Sequence, residues 1–223
     1  MISATVASAQ SPIPGLFSTG LNATGGLLPA TGSVDAHWTL ATPYPTSPSG
    51  QPVPLPSTLS YGPAYVNVPN GAWLANGPNS EWIMPQVTNS QGGNYLFQTT
   101  FTIPSGYNPV TASISGWWSS DNEGIAAYLN DIPLVAFPVP GPSSFNAMTN
   151  FTITHGVAGA SFQPGLNKLT FHYRNRGTGG SDLNFTDTGF RVQITGSTLC
   201  SYLHAHLLGT NAGVEPHLPA SSM

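Results

Sequence analysis

The sequence has few charged side chains. Lys, Arg, Asp and Glu make up 5% of its 223 residues, and four basic against eight acidic side chains give a net charge of −4. Nucleic-acid binding needs a cluster of basic residues to neutralise phosphates, so we exclude that class. Disorder of the charged, apolar-poor kind is excluded as well, because 39% of the residues are hydrophobic. Ser, Thr, Asn, Gln and Gly must cover the surface, as is typical of extracellular β proteins.

Cysteine and long apolar runs are scarce too. Cys200 is the single cysteine, so no internal disulfide bond can form. No stretch approaches the ~20 apolar residues of a membrane span, and none is predicted. Ala7-Ser8-Ala9 has the small-x-small pattern of a signal-peptidase site. We therefore interpret residues 1–9 as a signal-peptide remnant and expect a secreted or cell-surface protein; the alternative is an ordinary Ser/Ala-rich leader.

Helical periodicity is absent before residue 197, and period-two alternation takes its place. Tyr95, Phe97 and Phe101 alternate with polar residues, and five later segments follow the same pattern. Regularly spaced short strands without helices predict an all-β fold, a jelly-roll β-sandwich with a single domain over residues 10–196. Seven prolines in residues 43–63 predict a long surface loop. Residues 197–223 form an atypical C-terminal tail.

The segment TASISGWW contains the most informative aromatic pair. Trp118 shares a strand face with Ile114 and is expected in the core, whereas Trp117 shares the other face with serines. The outward faces of two later strands carry polar side chains. If those strands neighbour that of Trp117, they form one surface with an aromatic platform. We therefore predict a ligand-binding site of Trp117, His172, Arg174, Arg191 and Gln193; the alternative is a sheet face with the proline-rich loop packed over Trp117.

Acidic residues suggest a metal ion more strongly than catalysis. No Gly-x-Ser-x-Gly motif occurs, and most carboxylates lie in predicted turns, where Asp caps backbone donors. We therefore predict no catalytic residues and no required cofactor. Asp121, Asn122 and Glu123 place three side-chain oxygens in one turn, and such oxygens are the ligands of calcium. They predict a structural calcium site, with a turn stabilised by its own side chains as the alternative.

Several strand-turn blocks resemble a known family. The blocks are GAWLANGPNSEWI (71–83), GWWSSDNEGIAAYLND (116–131), FQPGLNKLTFHYRNRG (162–177) and TGFRVQITG (188–196). They resemble bacterial secreted proteins with a galactose-binding-domain-like jelly roll, a group that often carries a PEP-CTERM sorting anchor. The resemblance implies a location outside the cell, a non-catalytic and often glycan-related role, and a structural calcium ion.

These observations predict an extracellular, non-catalytic carbohydrate-binding module whose partner is a polysaccharide or a cell-surface glycan. Two alternatives stay open. The first is a structural, matrix or filament-forming surface protein that self-associates through strand edges, because few charges protect those edges. The second is a polysaccharide-active hydrolase that uses paired carboxylates.

Overall fold

The chain forms strands almost throughout the part that the structure describes. The computed structural model describes residues 10–29, 31–41, 54–56, 58–69, 71–86, 89–181 and 183–200. Its strands are β1 (Gln10–Pro12), β2 (Val34–Ala41), β3 (Tyr61–Val66), β4 (Ile83–Met84), β5 (Ser90–Gln91), β6 (Gly93–Ile103), β7 (Tyr107–Asp121), β8 (Glu123–Leu129), β9 (Ile132–Pro133), β10 (Thr149–Thr154), β11 (Gly165–Asn175), β12 (Phe185–Thr186) and β13 (Gly189–Cys200). Within these ranges there is no α-helix, only two three-residue 3-10 helices. No helix of the described residues is long and apolar enough to cross a membrane.

One continuous ladder of antiparallel strands folds over to make two layers. The strand order is β10-β7-β13-β4-β3-β2-β6-β11-β8-β9, with β1 paired to β13. The first layer holds β10, β7 and β13, and the second holds β6, β11 and β8. Aromatic rings meet between the layers: Trp118 of β7 lies 5.0 Å from Phe171 of β11, centroid to centroid. The predicted all-β sandwich is confirmed, while the jelly-roll connectivity stays a prediction.

Alternation along the long strands explains the core. The inward residues of β6, β7, β11 and β13 join one buried cluster, which includes Phe97, Trp118, Phe171 and Phe190. Burying such large rings supplies most of the favourable free energy of folding. Trp117, adjacent to Trp118, points to the opposite side of its strand and is exposed. The predicted inward and outward directions of these two tryptophans are confirmed.

Several predicted boundaries differ from the structure. The predicted proline-rich loop 43–63 overlaps β3, which begins at Tyr61, and residues 42–53 and 57 lie outside the described part of the chain. Strand β13 continues through Cys200, past the predicted domain end at residue 196. Residues 1–9 and 201–223 also lie outside the described part.

The second layer has a small apolar cluster on its outer side. Leu55 packs there with Leu96, Ala126 and Tyr128, and its backbone N–H donates to the carbonyl of Asp131 at 3.0 Å. The described end of the proline-rich segment therefore covers the second layer, on the side of the sandwich opposite Trp117.

Candidate functional site

Trp117 stands on the outer side of the first layer, between two amide side chains. It is 47% exposed, although its neighbour Trp118 is fully buried. The register places Asn150 of β10 on one side of Trp117 and Gln193 of β13 on the other. The sequence-based prediction included Gln193 but not Asn150. Trp117 is thus a large, half-exposed apolar side chain on an otherwise polar side of the first layer.

The same three strands repeat this arrangement in two further rows. Outward residues on one strand are two positions apart, so rows follow each other at about 6.8 Å along the strands, and strands lie about 4.8 Å apart. Within the rows every side chain except Trp117 is an uncharged hydroxyl or amide. We name this surface the β7 outer face; its rows are Asn150, Trp117 and Gln193, then Thr152, Ser115 and Thr195, then Thr154, Ser113 and Ser197.

The β7 outer face is closed at its Trp117 end. In the next row, the hydroxyl of Ser119 donates to the carbonyl of Ser144, 2.8 Å away in a 3-10 helix. Beside it, Arg191 donates from Nε to Ser80 Oγ at 2.9 Å and from Nη1 to the carbonyl of Ala75 at 2.5 Å. Arg191 is only 4% exposed. It thus holds the segment that contains Ala75 and Ser80 over the sheet, and it is covered by that segment.

At the other end, the outward hydroxyls turn to internal partners. Thr111 Oγ1 donates to the carbonyl of Asn108 at 2.7 Å and accepts a hydrogen bond from the backbone N–H of Leu199 at 2.9 Å. Its hydroxyl is therefore used within the fold. The row that holds Ser113 is the last of the β7 outer face.

Two predicted site residues lie far from this face. His172 and Arg174 belong to β11, which lies in the second layer between β6 and β8. Phe171 and Tyr173 point into the core, so His172 and Arg174 point to the outer side of that layer, away from Trp117. The structure does not bring His172 and Arg174 together with Trp117. The alternation gave each side chain a face, but it could not show which strands are neighbours.

His172 is a buried side chain in its own layer. It is 5% exposed, and its Nε2 lies 2.9 Å from Asn94 Oδ1. Burial lowers the pKa of His172 to about 4, because the charged ring would lose its hydration. In the register of the sheet His172 lies beside Leu96 and Ala126, two members of the apolar cluster of Leu55.

The three residues of the predicted calcium site have separate protein partners. Asp121 Oδ2 accepts a hydrogen bond from Trp73 Nε1 at 3.1 Å, and Asn122 Oδ1 accepts one from the backbone N–H of Arg176 at 2.5 Å. Glu123 forms a two-point ion pair with Arg176, with N–O distances of 3.1 and 2.8 Å. The segment is a corner between β7 and β8, which lie in different layers. In the described ranges no three His, Cys, Asp or Glu side chains are grouped for metal binding, and the calcium ion stays a prediction.

Asp121 has the most perturbed carboxyl group near the first layer. Burial raises the pKa of Asp121 to about 6; the hydrogen bond from Trp73 acts in the opposite direction and the charge of Asp187 in the same direction. A raised carboxyl pKa is a property shared by structural and catalytic acids. The raised pKa of Asp121 alone therefore gives the hydrolase alternative no specific support.

A shallow cavity of ≈ 210 Å³ lies beside the edge strand β10. It is lined by residues 134–138 and by Thr152, Ile153, Val157 and Ala158. No acidic or basic side chain lines it, so it contains no acid–base pair for hydrolysis.

The sequence-based site prediction included only Trp117 and Gln193 of the nine residues of the β7 outer face. It missed the other seven as ligand contacts, and five of those seven lie on β10 and β13. The segment NFTIT contained the signal, because Asn150, Thr152 and Thr154 alternate with two buried apolar residues. The alternation could not show that β10 pairs with β7.

Comparison with known proteins gives no family. No protein-family model matches the sequence, and no curated protein matches it. Among solved structures, the chain is similar to a cyclase from Fischerella sp. TAU in complex with 4-(1H-Indol-3-yl)butan-2-one. The TM-score is 0.40 and the sequence identity 11%, over 83% of this chain and 98% of that chain. A likeness of this degree assigns no activity here, and the expectation of a non-catalytic protein stays a prediction.

Proposed function

We propose that this protein is an extracellular carbohydrate-binding module that binds its ligand on the β7 outer face without catalysing a reaction. The observation that carries the proposal is Trp117, an indole half exposed between Asn150 and Gln193 on an uncharged sheet face. A location outside the cell is part of the proposal and rests on the charge-poor composition.

The chemistry of the face fits a sugar. The apolar side of a pyranose ring stacks on a flat aromatic ring, and its hydroxyls need donors and acceptors beside that ring. Asn150 and Gln193 supply both from their amides, at one strand spacing of about 4.8 Å on either side. Each neutral hydrogen bond adds only about 0.5–1.5 kcal/mol. Stacking on Trp117 is therefore expected to be the largest single contribution.

The test is the loss of binding when Trp117 is removed. Isothermal titration of Trp117→Ala against glycans selected on an array is expected to show an affinity at least tenfold lower than that of the natural protein. Phe185→Ala is the matched control, because Phe185 is an exposed aromatic ring (58%) on the two-stranded sheet of β12 and β5. Equal affinity of the Trp117→Ala variant and the natural protein would contradict the proposal.

In the part of the chain that the structure describes, no strand pairs with the outer edge of β10, and this edge favours self-association as a second candidate function. The backbone N–H of His155 donates to the carbonyl of Ala112 at 3.3 Å, so residues 149, 151 and 153 form the hydrogen-bonded pairs with β7. Asn150 and Thr152 therefore turn their backbone groups away from β7. The strand carries no charged residue, and charge is the usual protection of a sheet edge against pairing with another chain.

A further inference from the structure

We propose that the ligand of the β7 outer face is an uncharged polysaccharide chain that lies lengthwise along β7, from Trp117 toward Ser113. This inference rests on the proposed function and adds the charge and the direction of the ligand.

The absence of charge from the β7 outer face selects against acidic sugars. None of its nine side chains is ionised, so a carboxylate or sulfate on a glycan would find no counter-charge there. The nearest basic residue on these strands, Arg191, is buried and already donates to Ser80 and Ala75. The net charge of −4 adds a weak repulsion of polyanions. Hydroxyl groups, in contrast, find hydroxyl and amide partners in every row.

The boundaries of the face set the direction of the ligand. Across the strands the face ends at β10 on one side, because β10 is the last strand of the ladder that the described residues form. On the other side it ends at β13, whose far edge is occupied by residues 12–19: the N–H of Ile13 donates to Gly196 and that of Thr19 to Val192, both at 3.0 Å. The crosswise extent is thus two strand spacings, or about 10 Å.

Lengthwise the face is longer, and at its Ser113 end none of the hydrogen bonds between described residues closes it as the bonds of Ser119 and Arg191 close the other end. Three rows span about 14 Å along the strands. Beyond Trp117 the covering at Ser119 and Arg191 closes the sheet, so a chain stacked on Trp117 can extend only toward Ser115 and Ser113. A long ligand therefore contacts rows that a short ligand does not reach.

The experiment compares ligand length and ligand charge on the full chain. The probes are short and long oligosaccharides of β-glucan, mannan and galactan, with polygalacturonate as the acidic counterpart, all titrated calorimetrically. The variants are Trp117→Ala, Ser113→Ala and the pair Asn150→Ala and Gln193→Ala. The matched control is Thr100→Ala, which removes an exposed hydroxyl from β6 in the second layer. Near-ultraviolet circular dichroism checks that each variant is folded.

We expect a neutral probe to bind and polygalacturonate not to bind. Affinity should rise with oligosaccharide length, and Ser113→Ala should weaken the long probe about three- to tenfold while leaving the short probe unchanged. Trp117→Ala should abolish binding of both, and Thr100→Ala should change neither.

Three other outcomes would overturn the inference, and they differ in what they leave standing. If polygalacturonate binds more tightly than the neutral probes and this binding depends on Trp117, the ligand is not uncharged, but the proposed carbohydrate-binding function stands. A second outcome is that Asn150→Ala and Gln193→Ala lose binding while Ser113→Ala leaves the affinity for the long probe unchanged. It would overturn the lengthwise direction only. Binding of no probe by the folded natural protein would overturn the proposed function itself.

Discussion

At the scale of single residues, the carboxyl group of Asp121 shows how burial and hydrogen bonding compete. Its Oδ2 accepts the indole N–H of Trp73, and its Oδ1 is buried without a hydrogen-bond partner among the residues that the structure describes. One hydrogen bond does not replace the hydration that the charge loses, so the pKa of Asp121 rises to about 6. The folded protein therefore holds a proton here that the unfolded chain releases at lower pH.

The raised pKa of Asp121 predicts how the free energy of unfolding depends on pH. Its folded pKa lies above the unfolded value of 3.8, so its favourable contribution is complete below about pH 4 and is lost as the pH rises through 6. Asp121→Asn removes the buried charge and keeps an acceptor for Trp73. We expect the variant to be more stable than the natural protein by about 1–2 kcal/mol at pH 7, and equally stable near pH 4.

Urea unfolding at pH 4, 5.5 and 7 measures this difference. Other groups with shifted pKa values, such as His172, titrate equally in both proteins and cancel in the comparison. An equal gain in stability at all three pH values would show that the effect comes from packing rather than from the charge.

At the scale of elements, β7 depends on one glycine for its pairing with β13. A methyl group on Gly116 would lie 2.1 Å from the backbone carbonyl oxygen of Gln193 and 3.0 Å from the Cα of Ile194. Backbone atoms in the middle of a sheet cannot move aside, unlike the end of a flexible side chain. The glycine thus permits a close approach of two strands directly beside Trp117.

Gly116→Ala is therefore expected to destabilise the protein by roughly 3 kcal/mol or more, because the two strands must separate. Ser115→Ala is the matched control on the next position of β7; its side chain is exposed, and a change within about 0.5 kcal/mol is expected. Thermal and urea unfolding of both variants provide the measurement. A Gly116→Ala variant as stable as Ser115→Ala would show that the strand spacing adapts at little cost.

Individual strands could be predicted from the sequence to the extent that their alternation is regular. Tyr95, Phe97 and Phe101 are buried as predicted, and Thr100 is exposed. Gln98 is one of the polar residues that alternate with these aromatic rings, yet it is buried: its amide donates to Thr170, and the cluster of Leu55 lies on that side of the layer. A loop that covers a sheet face leaves no trace in the alternation of the strand beneath it.

At the scale of the whole molecule, the order of strands decides which side chains form a site. The sequence predicted the fold class, since many short alternating strands without helices permit few other architectures. It could not predict that β7 lies between β10 and β13, while β11 lies between β6 and β8. The sequence-based prediction placed all four side chains on outward faces. It grouped Gln193 with Trp117 correctly, but it wrongly added His172 and Arg174, which lie on the other layer.

Self-association through β10 predicts that the oligomeric state of the protein depends on its concentration. We expect sedimentation velocity to show a concentration-dependent dimer or larger species, and Thr152→Pro to shift it toward monomer, because proline removes a backbone N–H that points to the free edge. Thr152→Ala keeps that N–H and is the control. A natural protein that stays monomeric at high concentration would argue against assembly.

The pairing of β1 with β13 has a mechanical consequence. These strands run antiparallel with Gln10 beside Leu199, so the two ends of the described sandwich leave it at the same point. A pull on both ends loads the hydrogen bonds one after another, beginning with that pair, and the ladder opens like a zipper at low force. The two ends of the described sandwich are therefore the place where a pulling force separates its strands most easily.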